Sequence, residues 1–426
     1  MLEKYNFHWR DGFYYGFSRK RNLFHNLVKD ISTKQIISII GLRRTGKTTL
    51  LKQLIDHLIV SEKIKRENIV FFSFDEEQIN LGNIIHDYES RRGKEILEIK
   101  DGIYIFLDEI QKLDNWQNQI KYYYDNYNNI KFFISGSSSL FIRKHVQESL
   151  AGRIYEFNLL PLSFKEFLFF RDKETMIGKF MLFQDSLKNE FSAYQKRQFI
   201  DIVKESEENV GKYTKTIIEK IVYQDIPKIF PVENAELLMK ILKIVAANPG
   251  MLLDYVSLSR EIGISRVTLS NYFFYLEESF LIKKLYNFSK NMLTSEKKMR
   301  KVYLTTTSFF PFLYNEIDES KLIENLIVAH VNTRFFWRTP QKYEVDIIVE
   351  QKGKYVPVEV KFKNTIAKRD VKYLLRFCDK FNCKKAMMIT KNTSRIEVFK
   401  LGNGKKIEVT FIPVWMFLLQ LPAFFS

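Results

Sequence analysis

Residues 36–55 read IISIIGLRRTGKTTLLKQLI, and this stretch decides how the first part of the chain folds. An apolar run typical of a buried strand comes first, the pattern G-x4-G-K-T follows at 41–48, and apolar residues at helical spacing come last. Strand, glycine loop and helix in this order place backbone N–H groups around a phosphate at a helix N-terminus, where the helix dipole favours negative charge. The stretch therefore predicts a loop that binds nucleotide phosphates. A chance glycine loop is the alternative, and the flanking strand and helix disfavour it.

The side chains of this loop predict the cofactors. Lys47 brings a positive charge to the β- and γ-phosphates of ATP, and Thr48 offers its hydroxyl to a magnesium ion. ATP and Mg²⁺ are therefore the expected cofactors. The residues predicted to contact the nucleotide are Gly41, Leu42, Arg43, Arg44, Thr45, Gly46, Lys47, Thr48 and Thr49.

A second predicted strand, GIYIFLDE at 102–109, ends in two acids. Its apolar run carries Asp108 to the edge of the sheet beside the phosphate loop, where the carboxylate can hold magnesium through water. Glu109 follows and is placed to polarise the attacking water, which distinguishes hydrolysis of ATP from binding alone. The alternative is a buried strand that ends in acids by chance, but these acids appear only where the strand must meet solvent. Magnesium-dependent hydrolysis of ATP is therefore the expected reaction.

Further catalytic candidates follow the apolar strand IKFFIS at 130–135. Ser135 and Ser137 are both placed to touch the γ-phosphate or the attacking water, and the sequence does not choose between them. Arg143 and Arg153 are candidates for supplying positive charge to the transition state, either in cis or from a neighbouring subunit of an oligomer. An exposed arginine without a catalytic role is the alternative for each.

The order of apolar patterns predicts several domains. Four apolar runs alternate with helical patterns between residues 35 and 160, which indicates an α/β fold with a parallel sheet covered on both faces. The predicted divisions are a lead-in (1–34), the P-loop ATPase core (35–160), a helical lid (161–249), a winged helix-turn-helix (250–310) and a second α/β domain (311–426).

The composition indicates a globular protein with a basic charge. Hydrophobic residues make up 46% and aromatic residues 15% of the chain, so a disordered tail protein is excluded. Lys and Arg (67) exceed Asp and Glu (50), which gives a formal charge of +17 and favours polyanionic partners such as nucleic acid or an acidic membrane face. A lysine-rich solvated surface is the alternative that charge alone leaves open.

Two features of the sequence favour a cytoplasmic protein without a membrane anchor. Cys378 and Cys383 have no histidine nearby to complete a metal site, and we expect free thiols in a reducing compartment. The N-terminus lacks the pattern of a signal peptide, and no run of about 20 apolar residues occurs. The apolar stretch 409–426 is interrupted by two prolines and a glutamine, so we expect a strand and a short helix that close a core.

Several motifs together resemble those of one ATPase family. They are GLRRTGKTTL (41–50), LDEIQKLDNWQ (107–117), ISGSSS (134–139), LAGRIYEFNLLPLSFKEF (150–167) and DIP (225–227). The chain looks like archaeal and bacterial ATPases of the AAA type, in the AAA+ superfamily, that join a P-loop module to a C-terminal restriction-endonuclease-like domain. The resemblance covers most of the chain. It implies ATP binding and this order of domains, and it does not name a substrate.

The segment 258–285 has the pattern of a helix-turn-helix. A first helix meets Gly263, and Ser265 caps a second helix with polar side chains on its early turns. These side chains, of types that read bases, are Arg266, Thr268, Ser270 and Asn271. The basic segment that follows predicts a wing against phosphates, formed by Lys290, Lys297, Lys298, Arg300 and Lys301. Winged helices also serve as protein contacts, so contact with DNA or other nucleic acid and contact with protein both stay open.

The last domain carries acids in the pattern of the PD-(D/E)xK nucleases. Asp346 ends an apolar alternation, and Glu359 and Lys361 lie two apart on one face of the next strand. Two carboxylates on adjacent strands predict a second magnesium site, in which Lys361 orients the attacking water and Glu324 helps to position metal or water. The leading proline of the motif is absent and the spacing is loose. An inactive relic of the fold, with Glu359 paired to Lys361, is therefore the alternative.

The predicted function is that of an ATPase whose turnover changes how the last two domains meet a partner, in a nucleic-acid transaction or in defence. The competing prediction is a nucleotide-gated protein-interaction switch, in which the winged helix and the C-terminal domain bind protein and cut nothing. Salt-dependent affinity for DNA separates the two.

Overall fold

The chain divides into two compact units, Met1–Pro161 and Leu162–Ser426. The structure, a computed structural model, describes residues 1–75, 77, 79–137, 150–291, 295, 299–351, 353–402 and 404–424. The division between the units falls one residue beyond 160, where the sequence analysis ended the nucleotide domain.

The first unit is built on a five-stranded parallel sheet. Its strands are β1 (Ile36–Ile40), β2 (Ile69–Ser73), β3 (Ile103–Asp108), β4 (Ile130–Gly136) and β5 (Ile154–Asn158). Its helices are α1 (Leu23–Lys29), α2 (Lys47–Val60), α3 (Leu81–Arg92) and α4 (Trp116–Asn126). Hydrogen bonds order the strands β2-β3-β4-β1-β5, and each neighbouring pair is parallel. The predicted α/β fold with a parallel sheet is confirmed.

Burial explains why these apolar runs form central strands. Every residue of β1 and of β4 is buried, as expected for parallel strands covered on both faces. The rings of Phe106 and Phe133 stack at 4.4 Å between β3 and β4, which adds to the stabilisation from their burial. Since all five strands run in one direction, their carboxyl ends meet at one edge. At that edge β4 lies between the phosphate loop after β1 and the acids that end β3.

The second unit combines helices with a mixed nine-stranded sheet. Its helices are α5 (Phe164–Phe170), α6 (Thr175–Gly178), α7 (Gln184–Tyr194), α8 (Glu207–Lys220), α9 (Ile226–Ile229), α10 (Ala235–Ala247), α11 (Tyr255–Ile262), α12 (Arg266–Glu278), α13 (Phe310–Leu313), α14 (Glu319–His330), α15 (Lys372–Phe381) and α16 (Val414–Phe424). Its strands are β6 (Met251–Leu252), β7 (Ile282–Asn287), β8 (Arg300–Leu304), β9 (Phe335–Arg338), β10 (Glu344–Gln351), β11 (Lys354–Lys361), β12 (Lys385–Thr390), β13 (Arg395–Lys400) and β14 (Lys406–Pro413). Among the residues that the structure describes, no helix has both the length and the apolar character needed to cross a membrane.

One sheet joins two segments that the sequence analysis treated as separate domains. Its strand order is β13-β14-β12-β11-β10-β9-β7-β8-β6. β7 pairs in parallel with β9, with Tyr286 opposite Phe335. The hairpin of the predicted winged helix therefore continues the sheet of the predicted C-terminal domain, and residue 310 is not a sheet boundary.

The apolar C-terminal segment closes the core of this unit, as we expected from its interrupted pattern. β14 pairs with β12, and α16 follows directly. Buried Trp415, Phe417 and Leu418 join one apolar cluster with Leu326 of α14. This segment is a strand and a short helix.

Candidate functional site

Two glycines shape the phosphate loop. Gly41 has a φ of +156°, and a Cβ there would stand 2.3 Å from the carbonyl oxygen of Leu159, so no side chain fits. Gly46 has a φ of +99° and immediately precedes α2, which begins at Lys47. The first N–H groups of a helix lack partners within the helix, and they can therefore bind a phosphate.

Lys47 is held inside the loop. Lys47 is buried, with 4% of its surface exposed. Its Nζ donates to the carbonyl oxygens of Gly41 and Leu42 at 3.0 and 3.1 Å. A phosphate in the loop offers the ammonium a stronger, charge-assisted bond in exchange for these. The other predicted contacts lie on the loop or on the first turn of α2, with Thr45 buried and Arg44 exposed.

Thr48 and Asp108 meet at the sheet edge. Thr48 Oγ1 donates to Asp108 Oδ2 at 2.7 Å, and Ser135 Oγ donates to the other carboxylate oxygen. Burial raises the pKa of Asp108 and the charge of Glu109 raises it further, while the hydrogen bonds from Ser135 and Thr48 oppose the rise. A hydroxyl and a carboxylate are hard oxygen ligands of the kind that Mg²⁺ prefers, and a cation would favour the ionised carboxylate. The residues present therefore fit a magnesium ion.

Glu109 is positioned by side chains that follow β3 and β4. It has a φ of +53°, which is uncommon for a residue other than glycine. Its Oε2 accepts hydrogen bonds from Gln111 Nε2 and, at 3.2 Å, from Ser137 Oγ. Gln111 also donates to Ser137 Oγ at 3.0 Å. The two candidate serines thus bond different carboxylates, Ser135 that of Asp108 and Ser137 that of Glu109. Ser135 Oγ also accepts from the backbone N–H of Glu109 at 3.3 Å.

Sequence reasoning missed two residues near this site. Gln111 had a signal, because it follows Glu109 by two residues in the turn that ends β3. Buried Arg21 belongs to the lead-in, and its guanidinium donates to the carbonyl oxygens of Thr45 at 2.9 Å and of Leu160 at 2.8 Å. It therefore fixes the phosphate loop to the segment after β5. No local pattern marks an arginine that bonds a backbone 24 positions away.

Arg153 lies at the wrong edge of the sheet to serve the phosphate loop of its own chain. It immediately precedes β5, and its carbonyl oxygen accepts from the N–H of Ile36, the first residue of β1. The loop follows the other end of β1, about 16 Å away at the usual rise of a strand. Arg153 pairs with Asp125 at 2.9 Å. The predicted role of Arg153 in cis, as a positive charge at the transition state of its own chain, is wrong. A role of Arg153 in a neighbouring subunit stays a prediction. Arg143, the other candidate, lies outside the described residues.

In the second unit, the predicted nuclease-like residues come together. Lys361 Nζ lies 2.6 Å from Glu359 Oε1, and Asp346 Oδ2 accepts from the N–H of Val360 at 2.9 Å. Burial raises the pKa of Glu359 to about 8, and the charges of Asp346 and Glu324 add to the rise. Within the described ranges, no group of three His, Cys, Asp or Glu side chains is arranged to hold a metal ion. The second magnesium site stays a prediction.

Lys301 does not belong to a phosphate-binding wing, and that prediction is wrong. The residue is 4% exposed, and its Nζ lies 2.6 Å from Glu344, 3.3 Å from Glu324 and 3.7 Å from Asp346. A buried ammonium among carboxylates cannot reach a phosphate outside the protein. The predicted wing lysines outside the described residues are Lys297 and Lys298.

The helices α11 and α12 are joined by the predicted turn. Gly263 ends α11 with a φ of +82°, and Ser265 Oγ accepts from the N–H of Thr268 at 3.0 Å. The hydroxyl of Thr268 lies 2.8 Å from that of Ser265, so this side chain supports the cap. The predicted base-reading residues that are exposed on α12 are Arg266, Ser270 and Asn271. The winged-helix assignment and its contact with nucleic acid stay predictions.

Comparison with known families agrees with the geometry of the first unit. A family model described as an AAA domain matches residues 33–168. This part of the chain is therefore similar to AAA domains and has the fold of a P-loop NTPase. Two further models, each described as a domain of unknown function, match residues 201–319 and 317–415.

Two curated relatives match nearly the whole chain. An uncharacterized protein of Methanocaldococcus jannaschii is 29% identical over 419 residues, covering 92% of this chain and 90% of its own. An uncharacterized protein of Haemophilus influenzae is 25% identical over 415 residues, covering 93% of this chain and 98% of its own. Among solved structures, a Walker-type ATPase of Pyrococcus abyssi is 14% identical with a TM-score of 0.45, covering 69% of this chain and 95% of that one.

Proposed function

We propose that the AAA domain binds ATP with Mg²⁺ and hydrolyses it to ADP and phosphate. One observation carries the proposal: Thr48 of the phosphate loop bonds Asp108 of β3 at 2.7 Å, with Glu109 next along the chain. A loop for phosphates, oxygen ligands for a metal and a carboxylate for water are the groups that this reaction needs.

The phosphate loop and the end of β3 bind different parts of Mg²⁺-ATP. The N–H groups after Gly46 and the ammonium of Lys47 bind the β- and γ-phosphates and balance their charge. Thr48 and Asp108 would hold the magnesium ion. When bound, that ion neutralises the charge that develops on the phosphates.

Glu109 accepts the proton of the attacking water in the proposed reaction. Proton transfer requires the carboxylate to point at the water, and the hydrogen bonds from Gln111 and Ser137 fix its direction. Asp108, which is occupied by Thr48 and Ser135, is the less suitable base. The two neighbouring acids thus have separate roles.

We further propose that ATP turnover is coupled to contact with DNA or other nucleic acid, in a nucleic-acid transaction or in defence. The formal charge of +17 supports a polyanionic partner. Arg266 and Asn271 are exposed on α12, and side chains of these two types make specific contacts to base edges. Both lie within the first two turns of the helix that a helix-turn-helix directs at the groove.

The second candidate is a nucleotide-gated protein-interaction switch. Val267 and Phe274 on α12 are 70% and 38% exposed, and they share the helix with Arg266 and Asn271. Exposed apolar side chains on a helix suit a protein partner better than a phosphate backbone. The buried position of Lys301 among the predicted nuclease acids also favours this candidate, since it leaves the C-terminal domain without an evident cutting site.

Phosphate release by the full chain, with and without double-stranded DNA at low and high salt, tests both candidates. We expect Mg²⁺-dependent turnover by the wild type.

Lys47→Ala should lower ATP affinity by about 10- to 100-fold, because a charged hydrogen-bond partner of the phosphates is lost. Lys52→Ala is the matched control, since Lys52 lies on the same helix but stacks on the ring of Tyr15.

The response to DNA decides between the candidates. Stimulation that is strong at low salt and fades at high salt supports the nucleic-acid role, because phosphate contacts release counterions. A rate of ATP hydrolysis that does not change when DNA is added, together with no DNA binding at low salt, supports the protein-interaction switch. A wild type that releases no phosphate under either condition contradicts hydrolysis. The DNA recovered from the assay is sized, and intact DNA is the expected result.

A further inference from the structure

A buried lysine ammonium lies among carboxylates that come from two other elements of the second unit. Lys301 extends from β8, whereas Glu344 and Asp346 belong to β10 and Glu324 belongs to α14. The ammonium nitrogen lies between 2.6 and 3.7 Å from oxygens of all three acids. Tyr303, also on β8, donates its hydroxyl to Glu324 Oε1 at 2.6 Å. Two of these acids are ones that the sequence analysis assigned to a metal ion.

The cluster does not fit a divalent metal ion while Lys301 is in place. Such an ion needs oxygens of the same carboxylates at about 2.0–2.6 Å, and the ammonium already occupies the space between them. The fourth acid, Glu359, is paired with Lys361 at 2.6 Å. Glu344 is paired with Arg338 as well. The acids of this centre therefore have cationic partners from the chain itself.

We propose that Lys301 is the resident cation of this cluster and takes the place of a divalent metal ion, so that the native protein binds no metal there. The proposal concerns the second unit alone and does not rest on ATP hydrolysis. A 4% exposed lysine has lost its hydration, and three carboxylates replace the water that it lost. Since the lysine and the acids come from different elements, their contact also fixes the β7–β8 hairpin on β10 and α14.

One carboxylate oxygen indicates that the cluster has capacity for another ligand once the ammonium is removed. Glu359 is 4% exposed, and its Oε2 has no hydrogen-bond partner in the part of the chain that the structure describes. Asp346 and Glu324 lie close enough to act on it electrostatically. Without the charge of Lys301, these buried acids would repel one another. A hard divalent ion would relieve that repulsion.

Binding of Mn²⁺ to the nucleotide-free full chain, measured by electron paramagnetic resonance and by thermal unfolding, tests the proposal. Lys301→Met removes the ammonium and keeps an unbranched side chain of similar length. We expect this variant to have a lower Tm than the wild type and to gain an Mn²⁺ site. Mn²⁺ at about 100 times its Kd should then raise the Tm by roughly 5 °C or more. Adding Asp346→Asn should abolish both the site and the rise.

Lys284→Met is the matched control. Lys284 is also buried on the β7–β8 hairpin, but among the residues that the structure describes it pairs with one acid, Glu277, at 2.9 Å. This variant should lose stability and should show no response to Mn²⁺ beyond that of the wild type. A response equal to that of Lys301→Met would mean that Mn²⁺ acts elsewhere, and it would overturn the proposal.

Two further outcomes contradict the proposal. One is a folded Lys301→Met variant that binds no more Mn²⁺ than the wild type. The other is wild-type protein that binds Mn²⁺ in a way that Asp346→Asn abolishes, because the native cluster would then hold metal beside Lys301. The second comparison needs no substitution at Lys301, so it tests the proposal even where Lys301→Met fails to fold.

Discussion

Glu109 is the residue on which the distinction between holding ATP and cleaving it depends. Glu109→Gln keeps the size of the side chain and removes the base, so we expect ATP binding close to that of the wild type. We expect hydrolysis to fall by about 10²- to 10⁴-fold, the usual contribution of a positioned base. Nucleotide affinity and single-turnover phosphate release measure the two effects separately. Equal hydrolysis rates in variant and wild type would remove Glu109 from the reaction.

Gln111→Leu is the informative companion of that variant. It removes the donor to Glu109 Oε2 but leaves the carboxylate in place, so kcat should fall less than in Glu109→Gln while KM for ATP stays unchanged. Restoration of kcat in Gln111→Asn would indicate a positioning role. A fall in Tm with unchanged kcat would instead mean that Gln111 only stabilises the fold.

The sequence marks most clearly those site residues whose proposed roles depend on neighbours along the chain. The phosphate loop is one continuous stretch between a strand and a helix, and its glycines have φ values that a tight loop requires. Arg21 and Lys301 act through contacts with residues far along the chain. The sequence predicted a phosphate contact for Lys301 and made no prediction for Arg21, and only the fold shows that both are buried.

At the scale of elements, the lead-in is held against β2 by a buried histidine. His8 Nε2 donates to the carbonyl oxygen of Ile69 at 3.0 Å, and its Nδ1 lies 3.1 Å from the hydroxyl of Tyr15. Burial lowers the pKa of His8 to about 4, whereas the unfolded value is about 6.5. Between these values, the unfolded chain binds a proton that the folded protein does not. The contribution of His8 to the free energy of unfolding is therefore fully present above pH 6.5 and is lost as the pH falls toward 4.

We expect this loss to reach about 3 kcal/mol of unfolding free energy at pH 4, from the difference between the two pKa values. His8→Gln removes the titrating group and should flatten the dependence of Tm on pH between 4 and 6.5. His25→Gln is the control, since His25 is exposed on α1. Parallel curves of Tm against pH for wild type and His8→Gln would show that His8 titrates normally in the folded protein.

The buried central strands followed from apolar periodicity, whereas β5, β6, β9 and β13 were not predicted. β5 and β13 are largely exposed and have no continuous apolar run. The runs that became β1, β3 and β4 are apolar throughout, which is the pattern of a strand buried on both faces. β6 and β9 have two and four residues, too few for a period to be recognised. These strands exist because neighbouring strands offer hydrogen-bonding edges.

At the scale of the whole molecule, the apolar pattern predicted the first parallel sheet but placed the strands of the second sheet in two separate domains. A boundary near residue 310 followed from the change between a helix-turn-helix pattern and a new α/β pattern. The pairing of β7 with β9 crosses that boundary. Strand partners are chosen by tertiary packing, so a sequence that shows two motifs can still fold as one sheet.

Because the two segments share one sheet, we expect a destabilising substitution in that sheet to reduce protection from amide hydrogen exchange in the helix-turn-helix segment and in the C-terminal strands together. Phe336 of β9 is fully buried and packs in one cluster with Leu285 of β7 and Val358 of β11. Phe336→Ala should remove about 3–5 kcal/mol of stability and should accelerate amide hydrogen exchange in β7 and β8 as well as in β9–β11. Tyr373→Ala, at an exposed site on α15, is the control and should change neither. Acceleration confined to β9–β11 would mean that the segments on either side of residue 310 are separate cooperative units, as the sequence first suggested. Acceleration in both is the expected result, because the backbone bonds between β7 and β9 cannot persist when one of the two strands opens.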